Sequence, residues 1–186
     1  MTRTTIPLHE QLSGHWQTLV RPKLEGLTDE EYLWEPAPGW NVRPAGSAPP
    51  GAKDVGSGAF RIDFAFPEPD PPPLTTIAWR IGHLVVGVFG ARAAAHFGGP
   101  PVDYDSFAYA GTAAEALAQL DEGYAAWTRG VEALDAEGLA RPCGPAEGAY
   151  ADSPLSDLVL HINREAIHHG AEILLLRDLH RNRLPS

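Results

Sequence analysis

Apolar residues recur at helical spacing near the start of the chain. Leu8, Leu12, Trp16 and Leu19 lie three or four residues apart, as the inward face of an amphipathic helix requires. The pattern predicts a first long helix over residues 8–24. Three further stretches combine a helix start signal with an apolar-rich sequence.

The second predicted helix follows the proline run PDPPP, where Thr75 or Thr76 can cap it, and carries IAWRIGHLVVGVFGARAAAHF. The third begins at Thr112, which forms a capping box with Glu115, and ends near Leu134.

The fourth predicted helix has the clearest start. Ser153 is a good N-cap, Pro154 suits the first helical position, and Asp157 stabilises the positive end of the helix dipole. We expect this helix to run to about Asp178. A short helical turn is also predicted at TDEEYLW, which begins with a capping-box pattern.

The connection between the first two long helices, residues 36–73, holds 10 of the 18 prolines and therefore cannot be a helix. Within it, FRIDFAF alternates apolar and other residues and predicts a strand, whereas PPGAKDVGSG is typical of an exposed loop. We therefore predict one domain over residues 1–186, an all-α four-helix bundle with a long proline-rich crossover packed over one end.

Polar residues interrupt the inward face of the fourth helix. Burying an unpaired carboxylate costs on the order of several kcal/mol, so polar residues in this position need compensation. In a seven-residue register the predicted inward positions are Leu155, Leu158, Ile162, Glu165, His169, Glu172 and Leu176.

A divalent metal is one possible compensation. Glu165 and His169 are four residues apart, so they project side by side, and zinc accepts both carboxylate oxygen and imidazole nitrogen. His83, on the apolar stripe of the second helix, can supply a third ligand. The residues alone leave a hydrogen-bonded polar cluster open as the alternative, because the spacing E-x-x-x-H is common by accident.

Two histidines flank these positions. His161 and His168 are candidate catalytic or substrate-contacting groups, with half-exposed surface histidines as the alternative. Glu172 can accept a hydrogen bond from the ring N–H of His168 or pair with Arg80 or Arg177.

Several other polar and aromatic residues are predicted to have structural roles and no part in catalysis or metal binding. Asn163 and Arg164 are predicted to face solvent or a partner subunit, and Trp40 to anchor packing. Cys143, in the loop-like RPCGPAEG, is interpreted as unreactive. The histidines that lack a neighbouring constellation are His9, His15, His96 and His180.

Composition narrows the function classes. A formal charge of −10 and a pI near 5.1 argue against general binding of nucleic acid and against adhesion to anionic membranes. The sequence has no apolar run of signal-peptide or transmembrane type, so we expect neither. A single cysteine excludes an intrachain disulfide and makes a cytoplasmic location the default expectation.

The segments LEGLTDEEYLWEPAPGWNVRP, PDPPPLTTIAWRIGHL and HINREAIHHGAEILLLRDL resemble the DinB/YfiT-like superfamily of metalloenzymes. The resemblance implies an up-down-down-up four-helix bundle and a divalent metal, often zinc or nickel. Its ligands would be His83, Glu165 and His169. The His-Glu-His set is similar to that in the metal-binding domain of the mycothiol-dependent maleylpyruvate isomerase family.

The resemblance favours a metal-dependent thiol transferase or isomerase that acts on a small molecule with a mycothiol-type low-molecular-weight thiol. A metal-dependent hydrolase is the rival activity, and a non-catalytic metal-stabilised or ligand-binding bundle is the alternative class. The surplus of apolar residues in IAWRIGHLVVGVFGARAAAHF, together with the family pattern, also predicts a homodimer.

Overall fold

The first helical stretch has the extent that the apolar spacing predicts. The computed structural model describes residues 6–183, and α1 (Ile6–His15) opens it. The helix continues as a π-helical turn, Trp16–Val20, and after Arg21 as a 3₁₀ turn, Pro22–Leu24. A short helix, α2 (Asp29–Tyr32), follows and begins with the predicted capping box.

The second helical stretch consists of α3 (Ile77–His83), a π-helical segment (Leu84–Gly90) and α4 (Ala91–Phe97). Thr76 caps it by accepting a 3.2 Å hydrogen bond from the backbone N–H of Trp79. The apolar residues of the π-helical segment are buried within the chain itself. The surplus of apolar residues in this helix therefore no longer supports a homodimer, which stays a prediction.

The third and fourth predicted helices are also present. Helix α5 (Ala113–Glu132) begins after Thr112, as predicted, and a short α6 (Ala136–Ala140) follows it. Helix α7 (Leu155–Arg181) has Pro154 as its N-cap residue, so the prediction of a Ser153 cap is wrong. Among the described helices, none is both long enough and apolar enough to cross a membrane.

The proline-rich connection forms two small sheets. In the first, β1 (Gly39–Trp40) pairs in parallel with β5 (Leu74–Thr75). In the second, β4 (Phe60–Phe64) is central and pairs antiparallel with β2 (Val42–Pro44) and β3 (Lys53–Val55). The predicted strand at β4 is confirmed, whereas the predicted exposed loop contains β3.

The prediction of an all-α four-helix bundle is wrong, because the described residues form a mixed fold of seven α-helices and two sheets. Val42, Val55 and Ile62 lie opposite one another across the strands and bury a shared apolar side. The sheet is fixed to α3 by the indole N–H of Trp79, which donates to the carbonyl of Asp63 at 2.8 Å.

A buried ion pair joins α2 to the end of α7. Glu31 accepts hydrogen bonds from Nε of Arg177 at 3.1 Å and from Nε of Arg181 at 2.7 Å. Burial alone raises the pKa of the Glu31 carboxyl, but the bonds from Arg177, the Thr28 N–H and Arg181 outweigh it and lower the pKa to about 2. Arg177 also donates to the carbonyl of Glu25 at 2.9 Å.

Candidate metal centre

Helices α3 and α7 bring the three predicted ligands together. One ligand atom from each of His83, Glu165 and His169 lies within 4.8 Å of the other two. The Nε2 atom of His169 is 3.6 Å from a carboxylate oxygen of Glu165. Two donors at about 2.1 Å from a tetrahedral ion lie roughly 3.4 Å apart, so this pair needs only a small adjustment to fit zinc.

The His83 ring is held in a fixed orientation by aromatic neighbours. Its Nδ1 lies 2.6 Å from the hydroxyl of Tyr104, and the ring of Trp79 stacks on it at a centroid distance of 5.3 Å. A Cβ on Gly87 would overlap that hydroxyl, so glycine in the π-helical segment leaves room for it. With Nδ1 engaged, Nε2 of His83 is the nitrogen left for a metal.

His169 is oriented in a similar way by a carboxylate. Its Nδ1 lies 2.7 Å from an oxygen of Glu172. Nη1 of Arg80, which only donates, also lies 3.1 Å from this nitrogen, but the contact with the carboxylate, which only accepts, is the shorter one. We therefore place the proton on Nδ1 and the lone pair on Nε2. Arg80 donates to the same carboxylate oxygen and holds Glu172 in place. Metal-binding histidines in proteins usually have such an outer partner.

Both imidazoles are in the form that binds metal. Burial, followed by the charges of His169, Arg80 and Arg92, lowers the pKa of His83 to about 3. Burial also lowers the pKa of His169, against the opposing effect of Glu172. Each ring is therefore neutral at pH 7, with a lone pair available for coordination.

A second group, His168, His169 and Glu172, also places three ligand atoms within 4.8 Å of one another. The guanidinium of Arg80 already occupies this group, since it contacts both Glu172 and His169. The group is therefore better explained as the support of His169 than as a metal site. Arg177, the other predicted partner of Glu172, pairs with Glu31 instead.

The two predicted catalytic histidines lie at the rim of the ligand group. His161 accepts a 2.7 Å hydrogen bond from Arg164, and its Nδ1 is 3.8 Å from the carboxylate of Glu165. His168 has a side chain that is 62% exposed, and its Nε2 is 3.2 Å from Glu172. A catalytic role for either residue stays a prediction.

Of the three other residues with predicted positions, two lie as predicted and one does not. Asn163 is buried and donates a 2.7 Å hydrogen bond to the carbonyl of Leu8, so the prediction that it faces solvent or a partner is wrong. Arg164 is exposed, as predicted. Trp40 is buried and stacks on Phe64, which confirms its packing role.

Cys143 is buried, and burial raises the pKa of its thiol above the ordinary value. A thiol of this kind is protonated at neutral pH and is a poor nucleophile, which supports the interpretation of Cys143 as unreactive.

Sequence reasoning missed Tyr104. This residue lies in the irregular connection between α4 and α5, 21 positions after His83, and no periodicity or capping signal relates the two. A tyrosine in a stretch containing proline and glycine gives no indication of which buried nitrogen its hydroxyl will meet.

We expect Tyr104→Phe to weaken metal binding by roughly 10–100-fold, because loss of an outer partner of a metal-binding histidine has effects of that size. The affinity can be measured by competition with a chelating dye. Tyr109→Phe is the matched control, since the Tyr109 hydroxyl donates only to the carbonyl of Tyr104, at 3.3 Å. Equal metal affinity in the two variants would show that the Tyr104 hydroxyl does not support His83.

A model of a protein family described as the DinB superfamily matches residues 11–173 of the chain. The match spans α1 to α7 and includes His83, Glu165 and His169. No curated protein and no solved structure shows a significant match.

Proposed function

The chain belongs to the DinB superfamily, whose members commonly bind a divalent metal, and we propose that it is a metal-dependent thiol transferase or isomerase. One observation carries the proposal: His83, Glu165 and His169 form a group of three donors. Zinc in proteins takes four ligands at structural sites, and three protein ligands plus a small molecule at catalytic sites. A group of three therefore favours chemistry over a purely structural ion.

A divalent ion lowers the pKa of a thiol that coordinates it and so supplies a thiolate nucleophile near neutral pH. The protein's own contribution is orientation. Tyr104 and Glu172 fix the two histidine rings through their Nδ1 atoms, and the ring of Trp79 covers one face of His83. The fixed rings leave their Nε2 atoms as the nitrogens available for a metal, and the rings need no reorientation during the reaction.

The rim histidines complete the proposal. His161 and His168 have side chains that are 44% and 62% exposed, so each can exchange protons with solvent while it lies one turn from a carboxylate of the site. We assign them the movement of a proton between the bound substrate and water. His161 is better placed for this role, because it adjoins Glu165, whereas His168 adjoins Glu172.

Cobalt substitution tests the thiol directly. Addition of mycothiol, bacillithiol or glutathione to the cobalt-loaded protein should produce an intense near-ultraviolet absorption band. A hydroxyl analogue of the same thiol should produce none. Binding should strengthen as pH rises toward the pKa of the thiol, because the thiolate is the form that coordinates.

His83→Ala should abolish the band by removing the metal, and this variant is the control for adventitious cobalt. If cobalt binds but none of the three thiols changes its spectrum, thiol transfer is excluded as the function. The metal-dependent hydrolase and the non-catalytic alternative would then take precedence.

A further inference from the structure

A cleft of about 790 Å³ lies next to the ligand group. Its walls are α4, the segment 143–153 and the first turns of α7. Small-molecule sites in proteins typically enclose about 300–1,000 Å³, so the volume suits a substrate. The polar side chains that line the cleft include Arg92, Glu147, Tyr150, Asp157, His161 and Arg164.

One end of the cleft adjoins the candidate metal ligands. Nε of Arg164 is 3.6 Å from the carboxylate of Glu165, and Nδ1 of His161 is 3.8 Å from it. A molecule that fills the cleft and extends past Arg164 therefore reaches Glu165. This places the cleft where the organic part of a substrate would lie if its reactive end met the metal.

The wall opposite α7 carries little net charge. Glu147 lies 3.4 Å from Nη2 of Arg92 and 2.9 Å from Nε2 of His96, and the side chains of Glu147 and His96 are almost fully buried. The charges of Arg92 and Glu147 compensate each other. This wall therefore has no strong preference for an anion or a cation.

The wall formed by α7 carries a carboxylate, Asp157, and a guanidinium, Arg164, whose side chain is 71% exposed and has the carboxylate of Glu165 as a neighbour. Asp157, His161 and Arg164 follow one another at spacings of four and three residues, so they share one face of the helix. Asp157 and Arg164 are seven residues apart, which corresponds to about 10 Å along the helix axis. Within residues 6–183, the carboxylate of Asp157 is in no ion pair.

We propose that the cleft binds an amino-acid-derived zwitterion, with its ammonium group at Asp157 and its carboxylate at Arg164. An extended tripeptide spans at most about 10 Å, which is similar to the axial separation of Asp157 and Arg164 along α7. A cysteine at the carboxylate end would place its thiol on the side of Glu165. The position of the thiol rests on the proposed function, but recognition of the two charged ends does not.

The test uses the full-length protein supplied with zinc and the thiol-free peptide Gly-Gly-Ser as probe. Calorimetry compares it with its N-acetylated form, which lacks the ammonium group, and its C-terminal amide, which lacks the carboxylate. Each cap should weaken binding by at least about tenfold, as expected for the loss of one charged hydrogen bond.

Two variants assign the two ends separately. Asp157→Asn should remove the discrimination against the N-acetylated peptide and keep the discrimination against the amide. Arg164→Ala should have the opposite pattern. Asp178→Asn and Arg129→Ala are matched controls, since both residues are exposed and outside the cleft, and neither should change the binding of any peptide. Circular dichroism verifies that each variant is folded.

Equal binding of the free and capped peptides, or no measurable binding of any of them, would overturn the proposal. The proposal would also be overturned if Asp157→Asn and Arg164→Ala bound the three peptides as their control variants do. Gly-Gly-Cys then separates this proposal from the thiol chemistry. If it binds the zinc-loaded protein no more tightly than Gly-Gly-Ser, the placement of the thiol at the metal is wrong, while a charge-dependent cleft would still be established. Thiol transfer itself is decided by the cobalt spectra.

Discussion

Replacement of Glu165 by alanine is expected to remove the metal, whereas replacement of His168 by alanine leaves it bound. Glu165 belongs to the group with His83, and His168 belongs only to the group that Arg80 already occupies. Loss of Glu165 deletes a ligand, so the affinity should fall by more than the roughly 10–100-fold that loss of an outer partner causes. Metal content after dialysis, measured by inductively coupled plasma mass spectrometry, should drop from near one ion per chain to a trace.

These two variants distinguish the two candidate groups, because Glu165 and His168 each belong to only one of them. Replacement of His169, which belongs to both, would not distinguish them. A metal-free His168→Ala variant with a metal-loaded Glu165→Ala variant would place the ion at His168, His169 and Glu172 instead. A wild-type protein that takes up neither zinc nor nickel would contradict metal binding at either group.

The largest expected effect on stability comes from Arg177→Met. The substitution leaves Glu31 buried without its main partner and also frees the carbonyl of Glu25. Removal of one member of a buried ion pair costs about 3–5 kcal/mol, and a loss of that size in the free energy of unfolding should be measurable in urea by circular dichroism.

Arg181→Ala is the matched control, since Arg181 contacts the same carboxylate but its side chain is 52% exposed. It should cost less than about 1 kcal/mol. If Arg177→Met does not fold, the double variant with Glu31→Gln keeps the prediction testable, because removal of the charge should restore part of the lost stability. Equal stability of the two single variants would show that the pair contributes nothing.

The same carboxylate predicts how stability depends on acid. The pKa of Glu31 is about 2 in the folded protein, against an ordinary value of 4.5. Its contribution is therefore complete above about pH 4.5 and is lost as pH falls toward 2. The difference in unfolding free energy between the wild type and Glu31→Gln should shrink by about 2–3 kcal/mol between pH 6 and pH 2.5. A difference independent of pH would contradict the lowered pKa.

The three ligand candidates could be predicted because their signal is local. Glu165 and His169 interrupt an apolar helix face at the spacing that makes side chains neighbours. His83 was their counterpart because it lies on the apolar stripe of the second helix, and the resemblance implies the same three residues. The partners of these residues were only partly predictable. Arg80 and Glu172 could be named as a possible pair, but their shared contact with His169 depends on how α3 and α7 pack.

The errors have physical causes of their own. A seven-residue register assumes one narrow inward face, yet α7 also buries Asn163 against the backbone of α1. The segment Lys53–Val55 carries polar residues because only Val55 turns inward, so its sequence resembles a loop although it pairs with β4. The all-α prediction failed for a related reason: short strands in a proline-rich connection derive their order from pairing with one another, which leaves little periodicity in any one of them.

The position of Arg80 bears on the order in which the chain folds and takes up metal. Its guanidinium is a permanent positive charge that lies against Glu172 and His169. The carboxylate therefore has a cationic partner as soon as the chain has folded, before any ion arrives. We therefore expect the chain to fold without a metal, and exchange of one ion for another to leave the contacts of Arg80 intact. The identity of the bound ion in the cell would then depend on which metal ions are available and how readily they exchange at the folded site.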